Sequence, residues 1–252
     1  MSGVELAVQE SDFYGALVDL ERSLAAEFVV GKIRAIDSWA NGESSFKLDL
    51  KSWESLIDKL LRINIEDNRL FKQDKRPPFV MTVTERAQGA SEPAKQRWIT
   101  PDLAHEVADD LIRTKFVVPF ADGVVDISER ITQIMDGCGL PRYTKFHAKD
   151  SGYHARHHYV LLSVPGYDGG DTRVAFEIKV LTKMQDTLGE LTHMLYERQR
   201  TGLVPVESKS RLAWLFEEPD FLASYIGHAG HFIEASMVGL KDSVNGLEAK
   251  DG

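Results

Sequence analysis

The chain has 252 residues, of which 43% are hydrophobic and 27% charged, with a formal net charge of −9. That is the composition of a globular protein able to bury a core; no run approaches the roughly eighteen apolar residues of a membrane-crossing helix, and residues 1–11 lack the basic start and apolar run of a secretory signal. The acidic balance gives no general attraction to nucleic acid, and the single cysteine, Cys138, excludes an intrachain disulfide and points to a reducing compartment, the cytoplasm.

In chain order, Ser11 to Ala40 is expected to be helical, because Phe13, Leu17, Leu20, Leu24, Phe28 and Ile33 recur near helical spacing after a Ser/Asp start. Phe46 to Lys51 alternates like a short strand. Trp53, Leu56, Ile57, Leu60 and Leu61 form one face of a second helix, with Ser52 as its N-cap. From Asn64 to Pro101 the pattern is irregular, with one expected strand, Phe79 to Thr84; a connection of that length is more often functional or mobile than structural. Then follow a helix near Asp102, a strand Leu111 to Phe120, a helix Ile127 to Met135, and strands Tyr159 to Val164 and Val174 to Leu181. A helix Gln185 to Arg200 and a last helix Pro219 to Val238 complete the series. Strands interleaved with helices predict an α/β (α+β) fold, a mixed central sheet flanked by helices. No repeat or Pro/Gly/Ser-rich linker divides the chain. The expected organisation is an N-terminal helical segment (1–44), a core (45–204), a C-terminal helix (205–241) and a disordered tail (242–252).

Two acidic residues stand out against apolar strands. Asp110 precedes Leu-Ile-Arg-Thr-Lys-Phe-Val-Val, and Glu177 interrupts Val174-Ala-Phe-Glu-Ile-Lys-Val-Leu. A carboxylate inside an apolar strand costs several kcal/mol to bury unless a cation or hydrogen bonds compensate it. Neighbouring strands lie about 4.8 Å apart, so two such carboxylates on one face could share a magnesium ion. Asp109 and Asp110 would face opposite sides if both lay in the strand, so only one is expected to serve. Between the two acids lies Lys149-Asp-Ser-Gly-Tyr153-His-Ala-Arg-His157-His. Gly152 permits a sharp turn, and the aromatic after it could stack on a nucleobase, worth about 1–3 kcal/mol per base. The histidines there lack a second Cys/His group at zinc spacing, which argues against a structural zinc site.

These segments together resemble the RelA/SpoT-type synthetase superfamily, whose small members are alarmone synthetases and which includes a toxic branch. Lys51-Ser-Trp-Glu-Ser55-Leu-Ile-Asp-Lys59 is similar to the family's Lys-Ser-x-x-Ser-Ile-x-x-Lys, and Asp110-Leu-Ile-Arg-Thr-Lys115 to its Asp-Leu-x-Gly-x-Arg strand. Gly152-Tyr-His-Ala-Arg-His157 resembles Gly-Tyr-Arg-Ser-x-His, Glu177-Ile-Lys-Val-Leu-Thr182 resembles Glu-Ile-Gln-Ile-Arg-Thr, and Glu190 with His193 matches the following Glu-x-x-His helix. The five occur in the family's order across about residues 45 to 200. The order carries the resemblance.

The resemblance implies a nucleotidyltransferase-like fold and a pyrophosphokinase that moves the β,γ-diphosphate of ATP to a ribose 3′-hydroxyl. It assigns Lys51, Ser55, Lys59 and Lys115 to ATP. Asp110 and Glu177 fall to catalysis and Mg2+, Tyr153, His157 and Lys149 to the acceptor, and Glu190 and His193 to support. The implied acceptor is a guanine nucleotide or the tRNA 3′-end; the toxic branch would add an antitoxin protein as partner, and a homo-oligomer is compatible with either. The sequence departs from the pattern at Lys115, which loses arginine's planar fork, at Lys179 and Leu181, and at His154 and Ala155; the altered acceptor loop leans toward the toxin-like branch. Asp49 stands where the family has an arginine, and the basic residues Arg69, Lys72, Lys75, Arg76, Arg86, Lys95 and Arg97 could restore lost phosphate contacts. The alternative is a catalytically inactive module of the same fold that binds a nucleotide or partner. A nucleotidyltransferase outside the family would need a second aspartate where Ile112 stands.

Overall fold

The computed structural model describes Ile33 and residues 47–148, 152–165, 171–200 and 219–248. The expected helix Ser11 to Ala40 lies outside them apart from Ile33, a buried helical residue, as does the candidate Lys149. Among the described residues five strands form one sheet: β1 (Asp49–Leu50), β2 (Ile112–Val118), β3 (Arg142–Ala148), β4 (His154–Pro165) and β5 (Asp171–Thr182), in the order β1-β2-β5-β4-β3. The sheet is mixed and flanked by helices. In β5 Val174, Ala175, Phe176, Ile178, Val180 and Leu181 are all buried, the pattern of a strand covered on both faces at the middle of a sheet. β2 buries alternate residues, Ile112, Thr114, Phe116 and Val118, at the period of a half-covered strand.

Several elements differ from their expected bounds. Among the described residues of the stretch Phe46 to Lys51, Asp49 and Leu50 form the strand paired with β2, antiparallel, Asp49 opposite Arg113. An Arg113 Nε–Asp49 Oδ2 ion pair of 2.5 Å ties the two strands. Phe79 to Thr84 is not a strand. Phe79 makes an isolated bridge to Gln96, and Thr82 caps a helix instead. The Thr-x-x-Glu capping box, in which Thr82 and Glu85 satisfy each other's backbone N–H, overrides the strand-like alternation. β3 was not expected, because its apolar residues are separated by polar and charged ones; three of its seven positions are exposed and none is buried. The last helix runs on from Val238 to Glu248, so the residues from Asp242 to Glu248 are helical rather than a disordered tail; Lys241 pairs with Asp122 (2.5 Å) just before them.

The chain forms two compact units: Met1–Lys115, Arg130–Thr144 and His158–Ile178 make the first, and Phe116–Glu129, Lys145–His157 and Lys179–Gly252 the second. In the first, α1 (Trp53–Leu61) buries Trp53, Leu56 and Leu60, and Ser52 caps it by accepting from the Ser55 N–H, as expected from the sequence. A π-helical turn (Arg62–Glu66), α2 (Arg69–Asp74), α3 (Val83–Ala87), a 3-10 turn (Pro101–Leu103) and α4 (Ala104–Val107) fill the stretch expected to be irregular. That stretch is built into the core. Asn64 closes its ends by donating to the Ile99 carbonyl (2.7 Å) and accepting from the Ile99 N–H (2.9 Å). Val83 packs with Leu161 of β4 and Ala175 of β5. In the second unit α6 (Lys183–Arg200) packs against α7 (Pro219–Glu248); α5 (Ala121–Cys138) contributes to both units. Among the described residues no helix is long and apolar enough to cross a membrane.

Candidate active site

β2 begins at Ile112, so Asp109 and Asp110 lie in the turn before it and are not forced to opposite faces. The condition that would send them to opposite faces is not met, and both face Lys59. Lys59 Nζ lies 2.8 Å from Asp110 Oδ1 and 3.2 Å from Asp109 Oδ1, one helical turn beyond Ser55 on α1. Lys51 Nζ takes the other Asp110 oxygen, Oδ2, at 2.9 Å, while its backbone N–H donates to the Leu111 carbonyl at the same distance. Burial would raise the Asp110 carboxyl, but Lys59 and then Lys51 outweigh it and hold the group well below the usual carboxylate range. For Lys59 burial acts downward, and Asp110 and Asp109 overcome it to raise the ammonium. Arg86 of α3 closes the far side of the cluster, donating to Asp109 Oδ2 (3.2 Å), the Val107 carbonyl (3.1 Å) and the Met81 carbonyl (2.9 Å).

Glu177 is only 4% exposed, on β5, the hydrogen-bonded neighbour of β2. Its partner is Tyr159 of β4, whose hydroxyl donates to the carboxylate. Tyr159 stacks on Tyr143 of β3 with ring centroids 4.6 Å apart. Burial and then the Asp109 charge push the Tyr143 phenol up to about 12. Burial and then Glu177 raise Tyr159 further. Both phenols are therefore neutral near pH 7, and Tyr159 is a donor to Glu177. The first unit thus assembles three carboxylates, two lysines, an arginine and two tyrosines into one polar group.

Ser55 has a local role: its N–H is capped by Ser52, and Ser52 Oγ donates to Ser55 Oγ at 3.0 Å. Lys115 is exposed on β2, between buried Thr114 and Phe116. In the second unit Tyr153 Oη and His157 Nε2 share a hydrogen bond of 3.1 Å, with the rings edge to face. His147 lies against His157 at 4.2 Å, and His154 stacks on His231 at 4.1 Å. Glu190 and His193 are exposed on α6. Among the described residues no three His, Cys, Asp or Glu side chains converge as ligands of one metal ion.

No protein-family model matches the sequence, and no curated protein is similar to it. Solved structures are. A GTP pyrophosphokinase family protein from Streptococcus pneumoniae superposes with a TM-score of 0.52 at 17% identity, over 99% of this chain and 98% of that one. Small alarmone synthetase 1 from Bacillus subtilis, bound to its product pppGpp, gives 0.52 at 13% identity over 92% and 94%. Small alarmone synthetase 2 from the same organism gives 0.50 at 17% over 95% and 97%. The fold is that of the small alarmone synthetases.

Within the small alarmone synthetase fold, three of the seven basic residues between Arg69 and Arg97 pair with acids of the chain itself. Arg76 pairs with Asp74, Arg86 with Asp109 and Arg97 with Glu106, while Lys75 lies over the Phe71 ring at 4.3 Å. Sequence reasoning assigned no function to Tyr143 and Tyr159 and set Asp109 aside. The signal available for Asp109 was its place in a turn before β2, where neighbouring side chains need not diverge. The lowered Asp110 carboxyl sets a pH dependence. The unfolded carboxylate has the ordinary value of 3.8, so the contribution of the pair is present above about pH 4 and is lost as pH falls toward the depressed folded value. Denaturant unfolding is expected to show wild-type stability falling more steeply below about pH 4 than that of Asp110→Asn. Parallel pH profiles would contradict the lysine–Asp110 pairing.

Proposed function

We propose that the chain is a pyrophosphokinase that transfers the β,γ-diphosphate of ATP to the 3′-hydroxyl of a guanine nucleotide. The observation that carries this is the pairing, in the small alarmone synthetase fold, of the Asp110–Lys51–Lys59 cluster with a buried Glu177 on the neighbouring strand. Lys51 and Lys59 would turn from Asp110 to the ATP phosphates, helped by Lys115, with Ser55 at the helix start. Magnesium typically takes one or two carboxylates with phosphate oxygens and water completing its shell; Asp110 and Glu177 are an adequate donor pair once the lysines move to phosphate. Bound there, the ion would neutralise charge on phosphate oxygens. Most acceleration in such transfers comes from positioning and electrostatic stabilisation.

In the reaction the acceptor's 3′-oxygen bonds to the β-phosphorus, the bond between that phosphorus and the α,β-bridging oxygen breaks, and AMP leaves. Glu177 takes the hydroxyl proton as general base. Tyr159, held neutral, orients Glu177 around that step. Tyr153, with His157 bonded to its hydroxyl and Lys149 nearby in sequence, is assigned to the acceptor base, and Glu190 and His193 to support on α6. A guanine nucleotide is preferred to the tRNA 3′-end, because Arg76, Arg86 and Arg97 of the basic stretch are paired with the chain's own acids and the net charge is −9. The neighbour bound to pppGpp supports the same choice. The toxin-like branch, with its antitoxin partner, rests on the altered loop at His154 and Ala155 alone.

The test supplies γ-phosphate-labelled ATP and magnesium with GDP, GTP, ATP or bulk tRNA offered separately. Label is expected on GDP or GTP. Label on tRNA alone would move the chain to the toxin-like branch, and nucleotide binding without transfer to any acceptor would make it a binding module.

A further inference from the structure

The loop that carries Tyr153 is held by α7 through contacts that depend on two glycines. Gly152 has φ +78°, and a Cβ placed on it would stand 2.7 Å from both Gly227 Cα and the Ser224 carbonyl oxygen. A Cβ on Gly227 would stand 2.5 Å from the Gly152 carbonyl oxygen. Real Cβ atoms do not approach other atoms so closely, so loop and helix meet backbone to backbone only because neither residue has a side chain. Gln185, 1% exposed at the start of α6, ties the same two segments. Its Oε1 accepts from the His154 N–H (3.0 Å), and its Nε2 donates to the Gly227 carbonyl (3.4 Å). One residue further on, the His154 ring stacks on His231 of α7, with His228 5.5 Å away. A Cβ on Gly189 of α6 would be 3.8 Å from Tyr153 Cε2, an ordinary contact distance, so the Tyr153 ring lies over α6.

We propose that α7 is the clamp for the acceptor loop, with Gly227 and Gln185 as positioning residues that fix Tyr153 for the acceptor base. The inference rests on the pyrophosphokinase reading for what Tyr153 binds, but not for the clamp itself. Gly227 and Gln185 lie far along the chain from Tyr153 and serve it through backbone approach and two hydrogen bonds. In this chain His154 and Ala155 stand where the family pattern has Arg-Ser. The histidine there is committed to α7 by its stack on His231, which leaves the loop's orientation to the helix.

The test compares the full chain with Gly227→Ala, with Gln185→Met (similar in volume but unable to make either hydrogen bond) and with Ala235→Ser on the exposed side of α7 as control. Hydrogen exchange of the 152–157 amides reads the clamp directly. It is expected to speed up about tenfold in both loop variants, with the control and the amides of α1 unchanged. Steady-state kinetics read the positioning. The KM for the guanine-nucleotide acceptor is expected to rise at least about tenfold, with the KM for ATP within about twofold of wild type. Unchanged exchange in Gln185→Met, which keeps both glycines and so folds without steric conflict, would overturn the clamp. Faster exchange with an unaltered acceptor KM would overturn the positioning role while leaving the pyrophosphokinase reading intact. If the wild-type chain transfers nothing, that reading fails and the exchange data still decide the clamp.

Discussion

Glu177→Gln is expected to lower diphosphate transfer by about a thousandfold while leaving the affinity for metal-free ATP within about twofold of wild type. General bases contribute roughly 10²–10⁴ in rate, and here the same carboxylate is assigned to the metal, which keeps the loss above the lower end of that range. The substitution is suited to the question because glutamine keeps an oxygen to accept from Tyr159 and nearly the same volume at a site 4% exposed. Thermal unfolding of the variant is therefore expected to stay close to wild type, so that lost rate reports chemistry and not lost fold. Single-turnover rates with saturating ATP and acceptor check it; a rate within a factor of about three of wild type would remove Glu177 from the reaction.

Asp110→Asn is expected to separate stability from binding in an unusual way. It withdraws the charge that both Lys51 and Lys59 face, and Lys51 has 9% of its side chain exposed. Removing one partner of a buried ion pair costs about 3–5 kcal/mol; Asp109 remains for Lys59 and Asp110 itself is one-fifth exposed, so the loss is expected at the lower end, about 3 kcal/mol. The released ammoniums then favour phosphate. Metal-free ATP is expected to bind about tenfold more tightly, an effect of about 1.4 kcal/mol, while transfer with magnesium is lost. Denaturant unfolding and calorimetric titration measure the two effects. Unchanged stability together with unchanged metal-free affinity would show that the lysines are not held by Asp110 in solution.

How much of this was legible before the fold depends on whether the signal was local. α1 could be read because Ser52 and the stripe Trp53, Leu56 and Leu60 are neighbours on one helix. β5 could be read because a carboxylate in a continuous apolar run is conspicuous, and Glu177 is indeed buried on the strand beside β2. What could not be read were pairings between distant segments. The Tyr143–Tyr159 stack joins β3 to β4, and β3 itself has no apolar run to announce it. Arg86 reaches Asp109 from α3, in a stretch whose length suggested a functional or mobile connection. There the Thr82–Glu85 capping box was the available local clue, and the β-branched alternation of the same residues hid it. The lysines illustrate a third case. The family resemblance assigned them to ATP, but only the structure shows them paired with Asp110.

The most direct measurement of the central claim is the ratio of AMP formed to labelled product when magnesium and γ-labelled ATP are offered with GDP or GTP, for wild type and Glu177→Gln. Attack at the β-phosphorus predicts one AMP for each labelled acceptor and the loss of both together in the variant. Formation of ADP in place of AMP, or AMP without labelled acceptor, would contradict diphosphate transfer at this site.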